Sequence, residues 1–107
     1  MNPVTFYKCL ADKTRLMCLL LMETKGELCV CDLTMALQVS QPKISRHLAN
    51  LRNCGVVASR KQDQWVHYKI NPELDNWEKL VIATTLQANS LFIQECLQRL
   101  DQDKNCC

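Results

Sequence analysis

At 107 residues the chain is long enough for one domain with one modest core, and no apolar run reaches the roughly 18 residues expected of a membrane span. The net charge of +2 is too small to identify a polyanionic partner by itself. Eight cysteines would suit a secreted disulfide scaffold. Only 2 Gly and 3 Pro, long helical patterns and a start without a basic stretch leading into an apolar run point instead to reduced thiols in the cytoplasm.

In chain order, residues 4–10 read as a short helix with Phe6, Cys9 and Leu10 on its apolar side. Asp12 caps a second helix running to about residue 24, with Leu16, Leu19 and Leu20 at helical spacing and Gly26 as its stop. A third begins near residues 29–31 and ends near 37. Ser40 caps a fourth, which tolerates Pro42 in its first turn and closes near Cys54 and Gly55. Residues 56–62 and 65–70 are rich in β-branched and aromatic side chains and flank Asp63, which predicts a hairpin. Asn71-Pro72 ends it. A long final helix is expected over 75–100, so apolar that a second face is expected to be buried against another chain. The expected class is mainly α with a small β-hairpin, in the order ααααββα. Residues 1–100 are expected to form one domain, and 101–107 a mobile tail ending in cysteine.

The fourth helix divides into two faces. Ile44, Leu48 and Leu51 share an apolar one; Lys43, Arg46, His47 and Asn50 share a polar one. Gln41, Arg46 and Asn50 suit bidentate contacts to base edges, while Ser40, Lys43 and Ser45 suit phosphates. With the preceding helix and a short turn this makes a helix-turn-helix. Arg60, Lys61 and Gln64 sit at the tip of the hairpin, where a wing would meet the DNA backbone. Between residues 43 and 69 eight basic or histidine side chains face only Asp63, a local positive segment that the overall charge conceals. A solvated polar face on an ordinary amphipathic helix is the plain alternative.

Residues 27–70, from Glu-Leu-Cys-Val-Cys-Asp-Leu through Ser-Gln-Pro-Lys-Ile-Ser-Arg-His-Leu to Arg-Lys-Gln-Asp-Gln-Trp-Val-His-Tyr-Lys, resemble the arsenic-responsive branch of the ArsR/SmtB winged-helix repressors. Leu-Ala-Asp-Lys-Thr-Arg-Leu at 10–16 resembles that family's upstream segment. The resemblance implies a homodimer paired through the first and last helices. It also implies operator binding when ligand-free, release when arsenite or antimonite binds, and groove contacts at Gln41, Lys43, Ser45, Arg46 and His47.

Cys29 and Cys31 are the expected metalloid ligands, because thiolates suit soft ions. On a regular helix residues i and i+2 point about 200° apart, so one ion takes both only if that turn unwinds or if Cys29 lies at the cap. A helix N-terminus lowers a thiol pKa, and Glu27 and Asp32 oppose that effect. A third thiol, which such repressors often carry, would fall on Thr34; Cys106 or Cys107 is the possible substitute. Cys9, Cys18, Cys54 and Cys96 read as packing residues. A zinc site with nitrogen donors is not expected, since residues 77–100 contain no histidine.

Three other readings compete. Cys54 and Arg60 fit a Cys-x5-Arg oxyanion loop, but Val56 and Val57 favour extended backbone there, and no enzyme is expected. The same fold sensing cadmium, lead or thiol oxidation is the alternative for the signal. A small metal-buffering protein would have no use for the polar helix or the wing.

Overall fold

The computed structural model of the chain describes residues 1–102. The tail expectation, including Cys106 and Cys107, therefore falls almost wholly outside the described residues. Helix α1 (Pro3–Leu10) starts where Asn2 accepts from the Thr5 amide at 2.8 Å. Helix α2 (Lys13–Lys25) starts on Asp12, whose carboxylate accepts from the Arg15 amide at 3.0 Å. Gly26 closes α2 at φ 91°, a conformation that costs a Cβ-bearing residue energy. Helices α3 (Val30–Leu37) and α4 (Gln41–Asn53) follow, joined by a turn in which Gln38 takes the left-handed conformation. Strands β2 (Val57–Gln62) and β3 (Trp65–Ile70) form the expected hairpin, with Asp63 left-handed at its turn.

Three features depart from the sequence expectations. The first is strand β1 (Glu27–Cys29), which adds to β3 with Cys29 opposite His67 and makes the sheet β1-β3-β2, antiparallel throughout. Three residues are too few for strand alternation to register; their extended state is fixed by pairing with a distant strand.

The second concerns the last helix, which is two. Helix α5 (Asn76–Ala88) ends at Asn89, a 3-10 turn over Ser90–Ile93 follows, and α6 (Gln94–Gln102) resumes. Asn and Ser are weak helix formers that compete for backbone groups. Asn89 does so here: its side-chain amide donates to the Thr85 carbonyl at 3.0 Å.

The third is a disulfide between Cys9 and Cys54, with Cα atoms 6.8 Å apart, where separate reduced thiols were expected. It ties α1 to the C-cap of α4. The other two cysteines expected in the core, Cys18 and Cys96, are buried and free.

The core forms where α2 passes behind the helix-turn-helix. Leu19, Leu20 and Leu21 meet Leu33 of α3, Ile44, Leu48 and Leu51 of α4, and Ile82 of α5, all fully buried. The apolar face read on the fourth helix is thus the face that anchors it, which leaves the opposite face outward. Among the described residues no helix is long and apolar enough to cross a membrane.

Candidate thiol site and nucleic-acid interface

Cys29 occupies a joint. It is the last residue of β1 and also the N-cap of α3, with extended backbone at φ −91° and ψ 170°. Because it precedes the helix, the 200° separation of a regular turn does not apply to it. The Cys29 and Cys31 sulfurs lie 3.3 Å apart. With metal–sulfur bonds of about 2.3 Å, that separation lets one soft ion touch both without unwinding α3. Asp32 completes a cluster whose ligand atoms lie within 4.8 Å of one another. Its carboxylate, however, accepts from the Cys29 amide at 3.1 Å and so serves as the helix cap. Thr34 offers no third soft donor; its hydroxyl donates to the Val30 carbonyl at 2.9 Å.

The polar face of α4 is largely open. Ser40, Gln41, Lys43, Ser45, Arg46 and Asn50 are all exposed. His47 differs from them. It is half-buried and turned towards the start of α2, with Nδ1 3.4 Å from Arg15 and 3.9 Å from Asp12. Its helical position borders α2, and a carboxylate and a guanidinium meet it there. Arg15 also donates to the Cys9 and Lys8 carbonyls, so this network joins α1, α2 and α4. The Asp12 carboxyl is held below its usual range, mainly by the Arg15 amide and also by the charges of His47 and Arg15.

At the wing, Lys61 and Gln64 are exposed, as expected of groups that reach outward. Arg60 is engaged instead. Its guanidinium forks onto the Glu27 carboxylate at 2.6 to 3.0 Å and onto the Gln62 side-chain oxygen at 2.7 Å. The bond from Arg60 lowers the Glu27 pKa, and Glu27 in turn raises that of Arg60. The sequence gives no sign of this pair, because β1 had first to be laid beside the hairpin.

The chemistry is thus a two-sulfur trap, two residues from an ion pair to the wing, at the start of the helix that precedes the outward-facing one. The model for bacterial regulatory proteins of the arsR family matches residues 12–59. The Pseudomonas putida arsenic resistance transcriptional regulator ArsR2 is 46% identical over 99% of this chain and 98% of its own length. This chain belongs to the arsR family. The arsenical resistance operon repressor of Escherichia coli K12 is 45% identical over 97% of the chain and 88% of its own. In structure, the AntR antimony-specific transcriptional repressor superposes with a TM-score of 0.68 at 26% identity, over 82% of this chain and 77% of AntR. As an arsR-family member related to arsenical resistance repressors, the chain is a winged-helix transcriptional regulator and not an enzyme. The Cys-x5-Arg match has no catalytic geometry: Cys54 is bonded to Cys9, and the residues after Gly55 lead straight into β2.

Proposed function

We propose that this chain is a repressor that holds operator DNA as a ligand-free homodimer and lets go when trivalent arsenic or antimony bridges Cys29 and Cys31. The observation that carries the proposal is the position of Cys29, where one residue ends β1, caps α3 and places its sulfur 3.3 Å from that of Cys31. A ligand on that sulfur acts on both halves of the reader. Through α3 it reaches the turn into α4; through β1 it reaches the strand that Arg60 and His67 tie to the wing.

The magnitudes agree. An N-cap contributes about 0.5–2 kcal/mol, and allosteric couplings are typically about 1–3 kcal/mol. Disturbing one cap in each protomer is enough to change operator affinity by tens of fold.

In this reading the exposed residues of α4, together with Ser40, enter the major groove and hold its phosphates, and Lys61 and Gln64 follow the backbone. Arg60 fixes the wing instead of touching DNA, and His47 positions α4 against α2. The dimer forms through α1 and α5, which leave Val4, Tyr7 and Leu80 half or more exposed in the single chain. The edge-on contact of Phe6 with Trp77 and the tilted contact of Tyr7 with the same ring hold these two helices together as one surface.

Operator release measured by fluorescence anisotropy against arsenite, antimonite, cadmium, lead and peroxide tests the whole scheme. Release by arsenite and antimonite, abolished in Cys29→Ser and Cys31→Ser, is the expected result. Retained release in both variants would exclude the pair. Release by cadmium, lead or peroxide alone would move the protein to another signal on the same fold. Curated relatives include a Staphylococcus aureus cadmium resistance regulator, 34% identical over 68% of the chain and 60% of its own length, which keeps that second signal in the titration.

A further inference from the structure

Cys9, in the last turn of α1, holds helix α4 in two ways. Its sulfur is bonded to Cys54, the C-cap residue of α4. Its carbonyl accepts from Arg15 Nε at 2.7 Å, and Arg15 Nη1 lies 3.4 Å from Nδ1 of His47, midway along α4. Positions 47 and 54 of a helix share one face and stand about 10 Å apart along its axis. Two grips at that spacing fix the direction of α4 relative to α1; one grip leaves it free to tilt. Cys54 is also the joint between α4 and the wing. Gly55 follows at φ 82°, its carbonyl accepts from the Asn71 side-chain amide at 2.9 Å, and β2 starts at Val57. Cys9 is buried and Cys54 half-buried, so the open approach to the bond is at Cys54.

Resting on the reading of the chain as an operator-binding dimer paired through α1, we propose that the Cys9–Cys54 bond is a clamp opened by low-molecular-weight thiols. Closed, it holds the two recognition helices of the dimer at the spacing that two half-sites require. Opened, it leaves only the grip through Arg15 and His47. A thiolate RS− attacks the Cys54 sulfur, the Cys9–Cys54 bond breaks, and Cys9 leaves as a thiolate that takes a proton from solvent. A second RS− attacks the R sulfur of the mixed disulfide, and Cys54 leaves in the same way. The protein disulfide gains two electrons, while two RSH become RSSR and supply both protons. Excess RSSR runs the sequence backwards and closes the clamp. The device acts through α1 and the end of α4, apart from the junction of β1 and α3.

Operator anisotropy of the full chain, equilibrated in glutathione buffers rich in disulfide or in thiol, tests the clamp. Peptide mapping without reductant follows the Cys9–Cys54 link. The link is expected in the oxidised chain, and its reduction weakens operator binding by about fivefold or more. Cys9→Ala/Cys54→Ala binds like the reduced chain in both buffers. Cys54→Ser, changed only at the half-buried end, does the same and replaces the double variant if circular dichroism shows that variant to be misfolded. Both variants keep every other cysteine, so a thiol response of full size that persists in them belongs elsewhere and overturns the clamp. Equal affinity of the native chain in the two buffers, or no Cys9–Cys54 link in the oxidised one, overturns it too and leaves the repressor reading standing. Absence of selective operator binding in both buffers defeats the repressor reading itself, and the clamp with it.

Discussion

Serine is a better N-cap than cysteine, and this makes Cys29→Ser an unusually clean substitution. The variant keeps the start of α3 and, with it, operator affinity within about twofold, but it loses arsenite-induced release; anisotropy with and without arsenite measures both. Reactivity separates the remaining thiols. Burial, with smaller contributions from the charges of Cys96 and Asp12, pushes the Cys18 thiol up to about 12. Cys96 is raised chiefly by burial. At pH 8 both stay protonated, so iodoacetamide labels Cys18 only as the protein unfolds, as read by peptide mass spectrometry with and without urea; rapid native labelling would contradict this. Residue chemistry was legible where it depended on type and spacing, as in the Cys29–Cys31 pair and the outward Gln41, Lys43 and Arg46. It was hidden where a distant chain segment intervened. His47 sits at the right helical angle for a groove contact, yet Asp12 and Arg15 turn it inward. Cys9 and Cys54, apolar in pattern, proved to be bonded partners 45 residues apart.

Among elements, β1 changes the picture most. It carries Glu27 to Arg60 and converts the wing from a free hairpin into a three-stranded sheet anchored beside the thiols. Glu27→Gln removes the ion pair, and faster amide hydrogen exchange over residues 57–70 is the expected consequence. The pH dependence has a definite sign. The folded-state pKa of Glu27 is depressed by Arg60, so its contribution is fully present above the ordinary carboxylate range and is lost as pH falls through the lowered value. Wing protection in the native chain thus declines on acidification through that range, and in Glu27→Gln this component of the decline is missing. Both groups are solvent-screened, so the effect is local and global stability changes little. Leu48→Ala acts differently. Leu48 is fully buried under α4, and its truncation costs about 2–5 kcal/mol, measurable by urea unfolding. A loss below 1 kcal/mol would mean that α4 is not held by that face. Helix limits were readable because caps and stops are local: Asp12 and Gly26 act on the few residues beside them, while Ser40 holds the N-cap position of α4 without a side-chain cap bond. The break at Asn89 was concealed by apolar periodicity that runs on from α5 into α6.

For the molecule as a whole, the apolar residues left uncovered on α1 and α5 set the expectation. Leu80 is 66% exposed and Val4 62%. Leu80→Asp places a charge on that surface, and sedimentation should shift from dimer to monomer with unchanged helicity and much weaker operator binding. A variant that still sediments as a dimer would rule out α5 as the pairing surface. Arg99 reaches from α6 to donate to the Ala36 carbonyl near the end of α3, so the C-terminal helix is also fastened to the helix-turn-helix.

The order of helices, the hairpin, the two-faced recognition helix and the close thiol pair are all determined by the sequence itself, because each depends on periodicity, capping or spacing within a few residues. The extended state of β1, the cap position that brings the Cys29 and Cys31 sulfurs together, the Glu27–Arg60 tie and the Cys9–Cys54 bond were decided only by tertiary structure. Each needs surfaces distant in the chain to meet, and a local pattern carries no record of what will be packed against it.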